Sequence, residues 1–386
     1  MSFLHPEGVS GWRTSNIITT TTLLTLLMAS GCAGTQWGKR IAYSPGSFVE
    51  VMQAQAPEIL AEDLVIPFAV TPEMVVRAKT LLERMPLLHT DIDRANRLMN
   101  ALTDEDEFGL VYDSVATSPP AITVERGYGN CLALTSIFIG LAREVGLVAY
   151  YVDASNRIND LRREEEIIVD SGHIAGVVMT EKGYTFVDYD GHVSEYRTFQ
   201  IIDDITALAH YYNNLGFEML FNAERAEEPV PREKALHNFE LAIMVRPDFT
   251  RAYNNLGVVH TQLGDLDSAA AAYRTAIEMD PKTDAAYHNL ANLQMRAGDL
   301  DGALVLYTQA LEVRRDNPYL NYHRGLVQYR LGDLGAAEES FKRAVRLQRD
   351  YIEAHNLLAQ VYYQQGRLEE AEEVKATVQR ILAGKR

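Results

Sequence analysis

The sequence predicts an α+β domain followed by an all-α solenoid. Three observations carry this. From residue 209 onward the chain repeats itself every 34 residues, and ahead of that Cys131 to Asp188 reads as a helix and then a β-hairpin. The charge also divides unevenly: residues 1–204 hold 28 Asp and Glu against 15 Lys and Arg, and residues 205–386 hold 25 against 21. At about 100–200 residues per domain, 386 residues make two or three domains. Hydrophobic residues at 47% and charged residues at 23% exclude disordered, collagen-like and multi-span membrane classes. A net charge of −17 argues against duplex nucleic acid, whose phosphates need a basic surface. Two cysteines cannot build a disulfide framework or a cysteine-rich zinc site.

Residues 1–31 read as a processing signal. Arg13 precedes an apolar stretch from Ile17 to Ser30 that is too short to cross a bilayer as a helix, which takes about 20 residues. Ala29-Ser30-Gly31 followed at once by Cys32 resembles the bacterial lipobox. The resemblance implies lipidation of Cys32 and a protein held on a membrane facing the periplasm, the outer membrane ahead of the inner. An ordinary secretory signal with a cysteine by chance is the plainer alternative.

Residues 32–70, interrupted by Pro45, Pro57 and Pro67, read as a tether and lead-in, with an α+β domain over 71–204. A helix begins at Thr71-Pro72, a cap residue followed by proline at the first helical position. A second covers Asp91 to Leu102, burying Ala95, Leu98, Met99 and Leu102 at helical spacing. Thr103–Glu107 and Ser118-Pro119-Pro120 read as loops. Gly127-Tyr128-Gly129-Asn130 turns into a strongly apolar helix from Cys131 to about Val145, ended by Gly146, with a buried strand over Leu147–Val152. Arg157–Glu166 reads as a solvated loop, or else as a lid on the cleft. His173 opens a strand over Ile174–Met179, which turns at Glu181-Lys182-Gly183 and returns as Tyr184–Asp188.

That order carries chemistry. A helix N-terminus favours the thiolate form of a cysteine, which is the nucleophile. His173 on an adjoining strand can take or share the proton of Cys131, and Asp188 can hold the other imidazole nitrogen: nucleophile, base and orienter. Asp190 is a second candidate orienter and His192 a second candidate base. Gly-Asn-Cys at the head of an apolar helix ended by Glu-Val-Gly-Leu, then His and Asp on neighbouring strands, resembles the transglutaminase-like superfamily over residues 70–200. The resemblance implies a papain-like fold and a Cys131–His173–Asp188 triad acting on carboxamides, as in peptidases, deamidases and transamidases. No cofactor and no metal are expected. The remaining histidines lack ligand spacing.

Leu256-Gly257, Leu290-Ala291, Arg324-Gly325 and Leu358-Ala359 lie 34 residues apart, as do Ala269, Ala303, Ala337 and Ala371. This is the signature of tetratricopeptide repeats, here over 209–386: a degenerate copy at 209–249, then 250–283, 284–317, 318–351 and 352–385. The inner groove of such a solenoid is lined by the first helix of each pair. Register puts Asn254, His288, Tyr322 and Asn356 in one row along it, suited to a protein or peptide partner. The combined reading is a lipid-anchored cysteine amide hydrolase that works through a thioester and recruits its partner through the repeats. A transamidase is the alternative within enzymes, and a non-catalytic assembly or scaffold lipoprotein is the alternative outside them.

Overall fold

The computed structural model describes residues 41–86, 90–154, 161–164, 167–170, 172–181, 183–189, 199–225 and 231–384. Residues 1–31, read from sequence as a processing signal, and Cys32 lie outside the described residues, as do Asp190 and His192. Among the described residues no helix is long and apolar enough to cross a membrane.

The segment taken as a lead-in is part of the core. Helix α1 (Pro45–Gln55) starts with Pro45 at its first position, where proline fits, capped by Ser44. Its Phe48 and Met52 are buried, with Phe48 edge-on to Phe68 at 5.5 Å. Helices α2 (Pro72–Glu83) and α3 (Asp91–Thr103) begin where Thr71 and Thr90 accept a backbone N–H. Strand β1 (Val111–Tyr112) pairs in parallel with β2 (Tyr128–Gly129). Between them, α4 (Pro120–Arg126) extends what the sequence read as a loop, ending at Gly127 with a φ of 79°.

Helix α5 (Cys131–Glu144) is the centre of this module: every residue from Cys131 to Ala142 is buried, and all but Cys131, Thr135, Ser136 and Gly140 are hydrocarbon side chains. It packs on a four-stranded antiparallel sheet in the order β7 (Gly183–Val187), β6 (Ile174–Thr180), β3 (Ala149–Asp153), β8 (Gln200–Ile202). Register aligns Val187, Gly176, Tyr151 and Ile202 across the sheet. Thr135 and Ile139 of α5 lie over the strand at Gly176. The Arg157–Glu166 stretch is not wholly a loop, because β4 (Leu161–Glu164) pairs antiparallel with β5 (Ile167–Asp170).

Five helix pairs follow: α6 (Asp204–Arg225) with α7 (Arg232–Val245), α8 (Thr250–Leu263) with α9 (Leu266–Met279), α10 (Asp284–Ala297) with α11 (Leu300–Val313), α12 (Pro318–Arg330) with α13 (Leu334–Leu347), and α14 (Ile352–Gln364) with α15 (Leu368–Gly384). The repeat signature has a direct packing cause. A Cβ on Gly257 or Gly325 would come within 3.0 Å of the Tyr273 or Phe341 ring, so small residues on each first helix admit the buried aromatic of the second.

The seam between module and repeats is continuous apolar core. Ile205, Leu208, Tyr211 and Tyr212 of α6 and Leu241 and Val245 of α7 join the same cluster as α1, α5 and the sheet. The Asp204 carboxylate, fully buried, accepts two hydrogen bonds of 2.9 Å from the Arg143 guanidinium and one of 2.9 Å from the Tyr43 N–H. Burial pushes the Asp204 carboxyl above its ordinary range, and Arg143 offsets this in part. Nearby, Arg251 of α8 bonds Asp153 at 2.8 Å, and burial drives His210 down to about 3, which keeps its ring neutral.

Candidate functional site

Three local features deliver Cys131 to the first position of α5. Asn130 is the N-cap: its Oδ1 accepts the Ala133 N–H at 2.9 Å and its Nδ2 donates to Thr117 Oγ1 at 2.7 Å. The Asn130 N–H donates to the Ala116 carbonyl at 2.7 Å, tying the turn to the loop before α4. A side chain on Gly129 would collide with Thr123 and Ala133, at 2.8 and 2.9 Å from its Cβ. Glycine there lets the turn lie against the first turn of the helix. Being first in the helix, Cys131 also carries one of the four backbone N–H groups without an intrahelical acceptor.

His173 stands just ahead of β6 and Asp188 just past β7, neighbours through the pairing of those strands. The two are 3.1 Å apart, Nε2 to Oδ1, with the Asp188 side chain fully buried. Cys131 is near enough to the His173 ring to favour its charged form. The largest influence on its charge is burial, which disfavours the imidazolium. Interactions with Asp188 and then with Cys131 outweigh it and push the His173 pKa up to about 11. The structure therefore brings Cys131, His173 and Asp188 together, with Cys131 and His173 buried. Thr117, which orients the cap, was not found from sequence. It lies in a patternless loop 13 residues before Asn130.

The residues placed along the groove divide into two pairs. Asn254 and His288 are buried. Asn254 accepts from Asn289 Nδ2 at 2.9 Å, while His288 meets Asn292 at 3.0 Å. Strand β5 runs alongside α8 and α10, the first helices carrying those two residues. Tyr322 is half-buried, tilted against Tyr351 at 5.1 Å, and Asn356 is exposed. The groove row is thus covered at the end nearer the sheet and open at the other.

The tetratricopeptide-repeat family profile matches residues 260–327 and 328–383, and a second profile of the same description matches 232–283. Among curated proteins, the uncharacterized protein ycf37 of Pyropia yezoensis is 27% identical over 126 residues, which is 32% of this chain. The chain spans 64% of the length of that relative. Among solved structures, MamA 41-end from Desulfovibrio magneticus RS-1 is similar at 17% identity, covering 46% of this chain and 96% of its own, with a TM-score of 0.39. YrrB, described as a TPR protein with an unusual peptide-binding site, is similar at 17% identity over 45% of this chain and 86% of its own, with a TM-score of 0.37. From residue 232 to residue 383 the chain is built of tetratricopeptide repeats.

Proposed function

We propose that this is a membrane-tethered cysteine amide hydrolase of peptidase or deamidase type, with a papain-like, transglutaminase-like centre and repeats that recruit a protein or peptide partner. The observation that carries the reading is His173 held 3.1 Å from the buried Asp188 carboxylate, with Cys131 near enough to favour its charged ring. In this mechanism the proton rests on His173, paired with the Cys131 thiolate and held by Asp188. The thiolate attacks the carboxamide carbon, and the electron pair moves to the carbonyl oxygen. The Cys131 N–H at the helix start faces that developing charge. Collapse expels the amine, which takes the His173 proton, and leaves a thioester. His173 then removes one proton from water, which attacks the thioester and releases the thiolate and a carboxylic acid, and the acid loses its proton to solvent. In a transamidase an amine would replace that water.

A non-catalytic scaffold is the second reading, favoured by two observations. Cys131 is only 6% exposed, as an inert structural thiol would be, and the family matches lie within 232–383. Tetratricopeptide repeats themselves support protein binding. Iodoacetamide separates the readings. A free thiol with a pKa of about 8.5 should react roughly 200-fold more slowly at pH 6 than at pH 9. An ion-paired Cys131 should keep its rate within about tenfold over that range, and His173→Ala should restore the steep profile. A Cys131 that stays unreactive, or follows the free-thiol profile in the parent protein, leaves the scaffold.

The anchor and the groove share one experiment. Membranes bearing the Cys131→Ala variant should retain bound peptide. Adding Tyr322→Ala and Asn356→Ala should weaken that capture, and adding Cys32→Ser should move the protein to the soluble fraction. Undiminished capture would remove the groove from this account, and continued membrane binding would remove the lipid at Cys32.

A further inference from the structure

We infer that the cleft between α11 and α13, floored by Arg324 of α12, is a second docking site that takes an acidic peptide segment. The cleft has a volume of about 630 Å³ and lies on the second helices of the repeat pairs, away from the row Asn254 to Asn356. Its lining holds five cations, Arg315, Arg324, Lys342, Arg343 and Arg346, against Glu312 and Glu339. That is a local reversal of sign in a chain of net charge −17. Lys342 is paired with Glu338 and Arg343 with Asp316, each at 2.5 Å. Arg315, Arg324 and Arg346 form no salt bridge among the described residues, although the Glu339 carboxylate attracts Arg324 from the cleft wall.

The second observation is Arg324 itself. It occupies the register that holds Leu256, Leu290 and Leu358 in the other repeats. Leu290 and Leu358 are buried core. Arg324 is half-buried, its Nε donating to Ser340 Oγ at 3.1 Å, and burial lowers its pKa. A guanidinium where leucine fits costs desolvation and adds no ion pair. The fold gains one hydrogen bond to Ser340 and a distant attraction from Glu339, whereas an incoming carboxylate would gain a two-pronged partner at the cleft floor.

The dimensions select the ligand. Glu339, Lys342, Arg343 and Arg346 span eight residues of α13, about 10 Å at ~1.5 Å rise per residue. That matches about three extended residues or two helical turns bearing Asp or Glu. A flat lipid surface would meet the exposed Arg315 and Arg346 at the rim but not Arg324 at the floor.

The test needs no catalysis, so its outcome is separate from that of the Cys131 mechanism. A fluorescein-labelled dodecapeptide with four consecutive glutamates is titrated with the full chain by anisotropy. A glutamine-substituted peptide and phosphatidylglycerol vesicles run in parallel. The glutamate peptide should bind at least tenfold more tightly than the glutamine peptide, and less tightly as salt rises. Arg324→Leu, which restores the register residue, should lower its affinity at least tenfold without lowering Tm. Equal binding of both peptides, affinity within twofold in Arg324→Leu, or binding to the vesicles alone would overturn the proposal. Should Arg324→Leu fail to fold, Arg315→Gln with Arg346→Gln decides: both residues are exposed, and unchanged affinity refutes the site.

Discussion

Asp188→Asn should lower hydrolysis of p-nitrophenyl acetate, a generic acyl donor, about 10³–10⁴-fold while leaving alkylation of Cys131 at pH 6 within about tenfold of the parent. The asymmetry follows from what each process needs. Alkylation needs only a thiolate, and His173 remains beside it to carry the proton. Turnover needs the imidazole to give up that proton to the leaving group and recover it from water, with the ring in one tautomer and orientation throughout. The Asp188 carboxylate, 3.1 Å from His173 Nε2 and fully buried, accepts from that nitrogen. An asparagine of the same shape can present its amide N–H instead and hold the wrong tautomer. His173→Ala should lose both readouts. Its pKa of about 11 lies above the reference value of 6.5, so the protonated form stabilises the fold fully below about pH 6.5. That contribution disappears as pH rises through about 11, and between these limits Cys131 faces a charged partner. If both readouts fell together in Asp188→Asn, Asp188 would be supporting the fold and not orienting the base. If neither moved, it would have no part in the site.

Arg143→Ala should destabilise the chain by about 3–5 kcal/mol, a large share of the roughly 5–15 kcal/mol that holds a typical domain together. The Asp204 carboxylate has 0% exposure and accepts two hydrogen bonds from Arg143 beside one from the Tyr43 N–H, so the variant strands a charge in the seam. Arg143 Nε also donates to the Ala149 carbonyl at 3.1 Å, so the loss reaches the central sheet. With a urea slope of about 2–3 kcal/mol per M, the midpoint should fall by 1 M or more. Arg143→Met combined with Asp204→Leu should lose less than either single change, because no buried charge is left unpaired. A midpoint within about 0.3 M of the parent in Arg143→Ala would show that water replaces the guanidinium and that the seam rests on apolar packing alone.

The sequence by itself determined the elements whose signals are local. Thr71-Pro72 starts a helix because a hydroxyl accepts a free N–H and proline tolerates the first position. Gly129-Asn130-Cys131 starts another because asparagine caps and glycine allows close approach. The helix pairs were legible because each small residue must admit one aromatic ring, and that need recurs every 34 residues. His173 and Asp188 could be set beside each other because a hairpin aligns its strands, although hairpin pairing alone does not say that His173 reaches Cys131. Tertiary structure alone decided the rest. Helix α1 was hidden by prolines that mark a helix start as readily as a break, and only the pocket filled by Phe48 shows which. Strands β4 and β5 carry no alternating pattern: they pair with each other, and β5 lies against α8 and α10. Asn254 and His288 are likewise buried, against Asn289, Asn292, Tyr307 and His323 of the repeats, where Asn356 is open. A repeat's register states which face of a helix a residue occupies, whereas exposure depends on what the distant chain lays across that face.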